Sequence, residues 1–282
     1  MYLIIDVGAT YTKYAYYIED KYQSGNKFPT VKTNCEDFYD RIAQLADANV
    51  EKVSISMPGI IENGYVHAIS LLPFLTGHHV QNELKVKLKR EVLVENDARC
   101  ATMGEMWKGA LQQARNAIMI VLGSGIGATV LLNGQIITSP RHKTGEIGSI
   151  LMPLDEDYQE MTNFGRNNNA NQLISVIAHE AGIDNDGAAV FAYLQHHESP
   201  VFAKYCRQIA FMIYNLDYIL DLDVAVLGGG ISEQDLLIRK IQEEYLKLRQ
   251  RYEEDDHCCS IKACQHGNHA NILGALSRLI NK

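Results

Sequence analysis

Short apolar runs divided by glycine- or acid-bearing turns open the chain. Residues 2–5 form the first run, and Asp6-Val7-Gly8-Ala9-Thr10 follows it. Residues 12–18 are rich in β-formers and predict a second strand, and Glu19-Asp20 turns the chain into a third near Tyr22. The same figure returns later. Residues 117–122 predict a buried strand, Gly123-Ser124-Gly125-Ile126-Gly127 interrupts it, and residues 128–132 predict the next. Asn133-Gly134 is a strong hairpin turn into a strand at 135–138. Placing Gly123 on Asp6 sets the figures roughly 120 residues apart, too long for a solenoid repeat, and predicts a domain duplication. The likeness is one of pattern, not of identical residues.

Between and beyond the figures, strands alternate with helices. Phe38, Ile42, Leu45 and Ala46 give residues 35–49 helical spacing. Residues 53–56 predict a strand ended by Pro58-Gly59, and residues 92–94 another ended by Glu95-Asn96-Asp97. Asn96 or Asp97 can cap a helix over about 98–111. Ser199-Pro200 starts a helix whose apolar face runs from Phe202 to Leu220. Residues 224–227 predict a strand ended by Gly228-Gly229-Gly230. Ser232 and Asp235 predict a capping box for a helix over 233–250. Residues 251–257 read as a charged loop, 260–263 as a last strand and 270–280 as a last helix. This alternation predicts an α/β protein of two related lobes, with its chemistry at the strand ends.

Composition narrows the function. At 282 residues, 46% hydrophobic and 21% charged, the chain is neither disordered nor a coiled coil, and two domains are expected. With 26 basic and 34 acidic residues the net charge is −8, which disfavours nucleic acid and anionic membranes as partners. No apolar run approaches a membrane span, and residues 1–6 lack the basic flank of a signal peptide. A cytoplasmic location is expected, and the six cysteines, in no paired framework, are expected to be reduced.

Five segments can carry chemistry. In Asp6-Val7-Gly8-Ala9-Thr10, with Lys13 after it, the glycine lets backbone approach a phosphate and the acid can hold magnesium, directly or through water. An ordinary hairpin turn is the alternative. Gly123-Ser124-Gly125-Ile126-Gly127 is neither a Walker loop nor a dinucleotide fingerprint. Its alternate glycines mark a bulge or a close approach, and suit an anion. Gly228-Gly229-Gly230 lets a flat ligand such as adenine lie on the backbone, or makes a tight strand-to-helix turn. Asp97 is a cap, or the acceptor of a hydroxyl proton in phosphoryl transfer. Glu146, between Gly145 and Gly148, can bond vicinal hydroxyls or serve as a turn residue. The group His257, Cys258, Cys259, Cys264, His266 and His269 lacks zinc-ligand spacing, and the pairs His78-His79 and His196-His197 read as surface.

Taken in order, these segments resemble the ROK family of sugar kinases and repressors across essentially the whole chain. Its Asp-x-Gly-x-Thr-x-x-Lys stands as Asp6, Gly8, Thr10 and Lys13; its Glu-Asn-Asp as Glu95-Asn96-Asp97. Its Gly-Thr-Gly-Ile-Gly stands as Gly123 to Gly127, its Gly-Glu-hydrophobic-Gly as Gly145 to Gly148, and its Gly-Gly-Gly-Ile as Gly228 to Ile231. The resemblance implies two ribonuclease-H-like lobes of the actin and hexokinase kind around a central cleft. The expected division is residues 1–113, joined by about 270–282, and residues 114–269. It implies transfer of the ATP γ-phosphoryl to a sugar hydroxyl, usually at C6, with Asp97 as base. Gly59, Asn96, Glu146 and Ser149 fall at the sugar. Asp6, Gly8, Ala9, Thr10, Lys13, Gly123, Ser124, Gly125 and Gly127 fall at the phosphates, and Gly228, Gly229 and Gly230 at the adenosine. ATP and magnesium are the expected cofactors, and a homodimer is left open.

The chain departs from the family pattern at several points. Ser149 replaces a histidine, residues 163–171 contain none of the cysteines of a zinc motif, and the glutamate beyond that motif has no match. The resemblance therefore implies a zinc-free branch like β-glucoside and N-acetylmannosamine kinases, with a sugar site open at C1 or C2. Pro73-Phe74-Leu75 is a candidate apolar wall for that opening, or core. Ala9 replaces a glycine, and Ser124 replaces a threonine and keeps the hydroxyl. The repressor branch is set aside because no winged helix precedes Asp6. A non-catalytic sugar sensor on the same scaffold is the alternative, and an actin-like ATPase a further rival.

Overall fold

A computed structural model describes residues 1–19, 21–140, 143–153, 159–252 and 258–280. The chain forms two compact units, Met1–Lys108 with His269–Lys282, and Gly109–Asn268.

The first unit opens with β1 (Tyr2–Val7), β2 (Tyr11–Ile18) and β3 (Lys21–Pro29), an antiparallel meander. Asp20, in the turn expected between β2 and β3, lies outside the described residues. Asn34 caps α1 (Cys35–Leu45) by accepting the Asp37 N–H, and the helix stops four residues before the expected end. β4 (Lys52–Met57) returns parallel to β1. The hairpin β5 (Ile60–Glu62) and β6 (Tyr65–Ala68) and the helix α2 (Val80–Leu88) come next, and the hydrophobic pattern predicted none of the three. β7 (Glu91–Asn96) then lies parallel to β4, and α3 (Asp97–Lys108) starts directly from it. The sheet order is β3-β2-β1-β4-β7. Leu3, Ile5, Val53, Ile55 and Val94 bury one of its faces against α1 and α2. Phe74 stacks edge-on against Phe38 and Leu75 is wholly buried, so these two residues of the candidate wall pack into this core, while Pro73 is exposed.

The second unit repeats the plan. β8 (Ala117–Leu122), β9 (Ile126–Leu132) and β10 (Gln135–Ile136) form its meander. Then come a small hairpin, β11 (Leu151–Pro153) and β12 (Met161–Asn163), and four helices: α4 (Phe164–Asn167), α5 (Ala170–Ala181), α6 (Gly187–Leu194) and α7 (Pro200–Leu220). Ser199 caps α7 by accepting the Phe202 N–H at 3.2 Å, with Pro200 at the first helical position, as the sequence predicts. β13 (Val224–Gly228), α8 (Asp235–Tyr252) and β14 (Ser260–Ala263) complete the unit. The order β10-β9-β8-β13-β14, two antiparallel pairs followed by two parallel ones, matches that of the first sheet.

Two expectations fail here. The capping box at Ser232 does not form: α8 starts at Asp235, and the buried Ser232 hydroxyl donates back to the Gly229 carbonyl at 2.8 Å. Arg251 belongs to α8 rather than to a loop, and residues 253–257 lie outside the described residues.

The last helix, α9 (Ala270–Ile280), belongs to the first unit and crosses α3 closely. The crossing depends on two glycines. A Cβ on Gly274 would overlap the Cys100 carbonyl oxygen, and one on Gly104 would overlap the carbonyl oxygen of Ala270. Ile272, Ala275 and Leu276 fill the rest of the contact with Cys100 and Ile4. Each buried Ile or Leu there contributes about 1.5–3 kcal/mol relative to exposure. No described helix is long and apolar enough to cross a membrane.

Candidate active site

In the first unit the C-terminal ends of three parallel strands carry the polar residues. Register places Asp6 of β1 beside Ser56 of β4, and Ser56 and Met57 beside Glu95 and Asn96 of β7. The flanks of these residues are apolar and buried, so the strands fix the row.

Asp6 is 7% exposed. Its Oδ1 accepts the Ser56 hydroxyl and the Asn271 side-chain amide of α9, both at 3.1 Å. Burial pushes its carboxyl above the usual carboxylate value, opposed by those two bonds and by Lys13. Lys13 is the cross-strand partner of Asp6. Between them, the turn Gly8-Ala9-Thr10 closes with Gly8 N–H on the Tyr11 carbonyl, and the Thr30 hydroxyl pins the Gly8 carbonyl at 2.8 Å. Ala9 and Thr10 are exposed.

Asn96 and Asp97 form a second fixed pair. The Asn96 Oδ1 caps α3 by accepting the Arg99 N–H at 3.0 Å. Its Nδ2 donates to the Gly59 carbonyl at 2.9 Å and to Asp97 Oδ1 at 3.0 Å. The Ala98 N–H also reaches Asp97 Oδ1, at 2.8 Å. Asp97 Oδ2 takes no bond from any other described residue. Burial pushes the Asp97 carboxyl up, and the nearby Asp6 charge adds to this against the bonds from Ala98 and Asn96. Thus Asp6, Lys13, Gly59, Asn96 and Asp97 converge on one end of this sheet. Ser56 and Asn271 join them and had no signal in the sequence.

In the second unit the glycines divide by what they are for. Gly229 has φ +98° and its Cβ would overlap the Leu122 carbonyl; Gly145 has φ +89° and would overlap Ala128. Gly148 would overlap the Ile126 carbonyl, and the terminal methyl of Met119 lies 3.1 Å from a Cβ on Gly228. Packing explains these four. Gly125, Gly127 and Gly230 have no atom within 4 Å of a Cβ and no positive φ, and at Gly123 the nearest atom is 3.9 Å away. No described residue requires them to be glycine. Room without a described protein neighbour, on turns at the strand ends and at the start of β9, suits a ligand that approaches the backbone. The Gly123 turn is held by Gly123 N–H on the Gly125 carbonyl and by the Ala170 N–H on the Gly123 carbonyl. Gly228 pairs with Val121, so both glycine turns end neighbouring strands. Ser124, Glu146 and Ser149 are exposed.

Among the described residues no three His, Cys, Asp or Glu side chains are grouped as metal ligands. Cys258 is exposed and Cys259 and Cys264 are buried, while His257 lies outside the described residues. His196 and His197 are exposed, but His78 and His79 are half-buried; Glu83 of α2 meets the His78 ring and accepts the His79 backbone N–H.

Known proteins resemble this chain along almost its whole length. An N-acetyl-D-glucosamine kinase from Salmonella paratyphi B is 26% identical over 312 residues, covering 98% of both chains. The crystal structure of a ROK family protein from Streptococcus pneumoniae TIGR4, in complex with sucrose, matches with a TM-score of 0.86 at 25% identity. It covers 99% of this chain and 98% of that one. A ROK family glucokinase from Streptomyces griseus, in complex with glucose and AMPPNP, gives 0.74 at 20% identity over 99% of each chain. These matches bear out the expected fold class, α/β with two lobes of the actin and hexokinase kind. Residues 2–282 match the ROK family, and the chain belongs to that family.

Proposed function

We propose that this chain is an ATP-dependent sugar kinase in which Asp97 receives the proton of the acceptor hydroxyl, at C6 of a hexose. The observation that carries the assignment is the division between the two Asp97 oxygens. Oδ1 is fixed by Asn96 and Ala98, and Oδ2 is left for a substrate. A sugar hydroxyl has a pKa far above 7, so Asp97 orients it and takes its proton as the O–P bond forms. Burial makes Asp97 a stronger base than an ordinary carboxylate. The Gly59 carbonyl is tied to the Asn96 amide, which holds the adjoining turn where a sugar can bond to it.

The remaining catalysis is positioning and charge neutralisation. The backbone at Gly8 and the open glycines Gly123, Gly125 and Gly127 suit phosphates, and Gly230 suits the adenosine. Lys13 adds positive charge on the face of Asp6. Asp6 fits magnesium, which keeps most of its waters and takes only one or two carboxylates. Its Oδ1 is engaged by Ser56 and Asn271, and its Oδ2 accepts from no described residue. The nearby charge of Asp97 makes a cation welcome there. A magnesium ion held by Asp6 would supply charge neutralisation at the phosphates.

N-acetylhexosamines lead the candidate acceptors, followed by β-glucosides and glucose. The N-acetyl-D-glucosamine kinase similar along almost its whole length supports the first class. Ser149, short and exposed where the family has histidine, removes one demand on the anomeric end. An ADP-release assay over hexoses, N-acetylhexosamines and β-glucosides tests the reading. Release with at least one acceptor, and more with an N-acetylhexosamine than with glucose, is expected. A kcat/KM for glucose far above all substituted sugars overturns the open site, and no release with any acceptor overturns the kinase.

A further inference from the structure

Away from the strand ends, the first unit aligns three reactive side chains that sugar phosphorylation does not use. Cys35 is the first residue of α1, and its Sγ lies 3.6 Å from His78 Nε2. The other ring nitrogen, Nδ1, lies 3.0 Å from Glu83 Oε2 and 3.2 Å from Oε1. Glu83 is itself fixed, accepting the Tyr39 hydroxyl at 2.9 Å and the His79 N–H at 3.0 Å. An ionised carboxylate only accepts, so Nδ1 carries a hydrogen, and in the neutral form of the ring the Nε2 lone pair faces Cys35. The S–H therefore has two acceptors, Nε2 and the Phe74 carbonyl at 3.0 Å. Solvent reaches the group, since Cys35 is part-exposed and the His78 side chain is 41% exposed.

We propose that Cys35, His78 and Glu83 form a nucleophilic thiol site that exchanges with small-molecule disulfides. His78 is the base, and Glu83 holds its tautomer and orientation. As Sγ attacks one sulfur of the disulfide, the thiol proton passes to Nε2, the S–S bond breaks and a mixed disulfide forms on Cys35. The leaving thiolate then takes the proton from Nε2 and departs as a thiol, so no further oxidant or reductant is consumed.

A base is what this thiol needs. Burial first, and the Glu83 charge after it, push the Cys35 thiol up, so little thiolate stands ready at neutral pH. Once deprotonated, a thiol of high pKa is the better nucleophile. A base–nucleophile pair oriented by a third group is the arrangement of activated thiols in general.

The test uses the full chain carrying Cys258→Ser, which removes the one exposed cysteine; Cys100, Cys206, Cys259 and Cys264 are buried. A neutral dipyridyl disulfide, whose thiopyridone product absorbs, reports the rate, and peptide mass mapping reports the position. One thiol per chain is expected to react in a fast phase and to map to Cys35. Adding His78→Gln should slow that phase by roughly 10²-fold. Adding His78→Gly should slow it too, and free imidazole should restore the rate, which a merely structural role for the ring would not allow. Urea midpoints establish that the variants are folded. A Cys35 that stays unlabelled in the folded protein, or that reacts as fast in a folded His78→Gln as in its parent, overturns the proposal.

Discussion

Replacing Gly274 by alanine sets two effects of opposite sign against each other. Gly274 lies inside α9, where alanine is favoured over glycine by about 1 kcal/mol. Against this, the new Cβ would overlap the carbonyl oxygen of Cys100 and lie 2.9 Å from its Cα. Both atoms belong to the backbone of α3, so no rotamer change relieves the overlap and the helices must separate. Overpacking of this kind costs about 1–3 kcal/mol, and a main-chain clash belongs at the upper end. The expected net loss is about 2 kcal/mol, or roughly 30-fold in the folding constant. Trp107, the only tryptophan, packs beside the α3–α9 contact, so its fluorescence reports the first unit separately from the second. With a urea slope of about 2 kcal/mol/M, the midpoint should fall by ~1 M. Turnover should fall as well, because Asn271 sits one turn before Gly274 and moves with α9 away from Asp6. Asn271→Ala separates the two effects, lowering turnover with a smaller change in midpoint. A Gly274→Ala midpoint equal to or above that of the parent would refute the close-packed crossing.

Asp97→Asn keeps the cap geometry but removes proton acceptance, so turnover should fall roughly 10²–10⁴-fold with modest change in sugar binding; steady-state and binding measurements separate the two. Only ionised Asp97 accepts a proton. Turnover of the parent should therefore fall as pH drops through the raised Asp97 value, in a window above that of an ordinary carboxylate, and the residual activity of Asp97→Asn should lack this limb. The proton on folded Asp97 contributes stability that is present at acid pH and is lost as pH rises through the same value. Gly125→Ala puts a methyl into open space, so the urea midpoint should hold while the KM for ATP rises; an unchanged KM would remove the phosphate role of that turn. Elemental analysis after dialysis should find no stoichiometric zinc while activity requires magnesium, and about one retained zinc per chain would overturn that.

Legibility tracked how local the determining interactions are. The two meanders, α7 with its Ser199 cap, and the strand-end turns at Asp6, Asn96 and Gly123 all show in short windows of sequence. The β5–β6 hairpin is too short for alternation to register, and α2 buries only Val80 and Leu84, too sparse a stripe to predict a helix. Ser232 had the right spacing for a capping box, but its hydroxyl turned to Gly229, a choice made by burial rather than by local sequence. The site divides in the same way. Asp97 and its neighbours form one contiguous motif, whereas Ser56 is hidden in an apolar strand and Asn271 is 265 residues from the carboxylate it holds. Among the glycines, only the structure separates those that packing demands from those left for a ligand.

The return of α9 to the first unit sets an order on synthesis. The first unit emerges from the ribosome with the glycine groove on α3 uncovered, and the whole of the second unit is translated before α9 can fill it. At about 5–20 residues per second that wait is roughly 10–30 s. The contiguous second unit can finish folding within this interval, ahead of the one made before it. During the same interval Cys100 and Ile4 have no cover, and Asp6 lacks one of its two donors. A nascent chain stalled short of residue 269 is thus where a chaperone would find an apolar groove to hold.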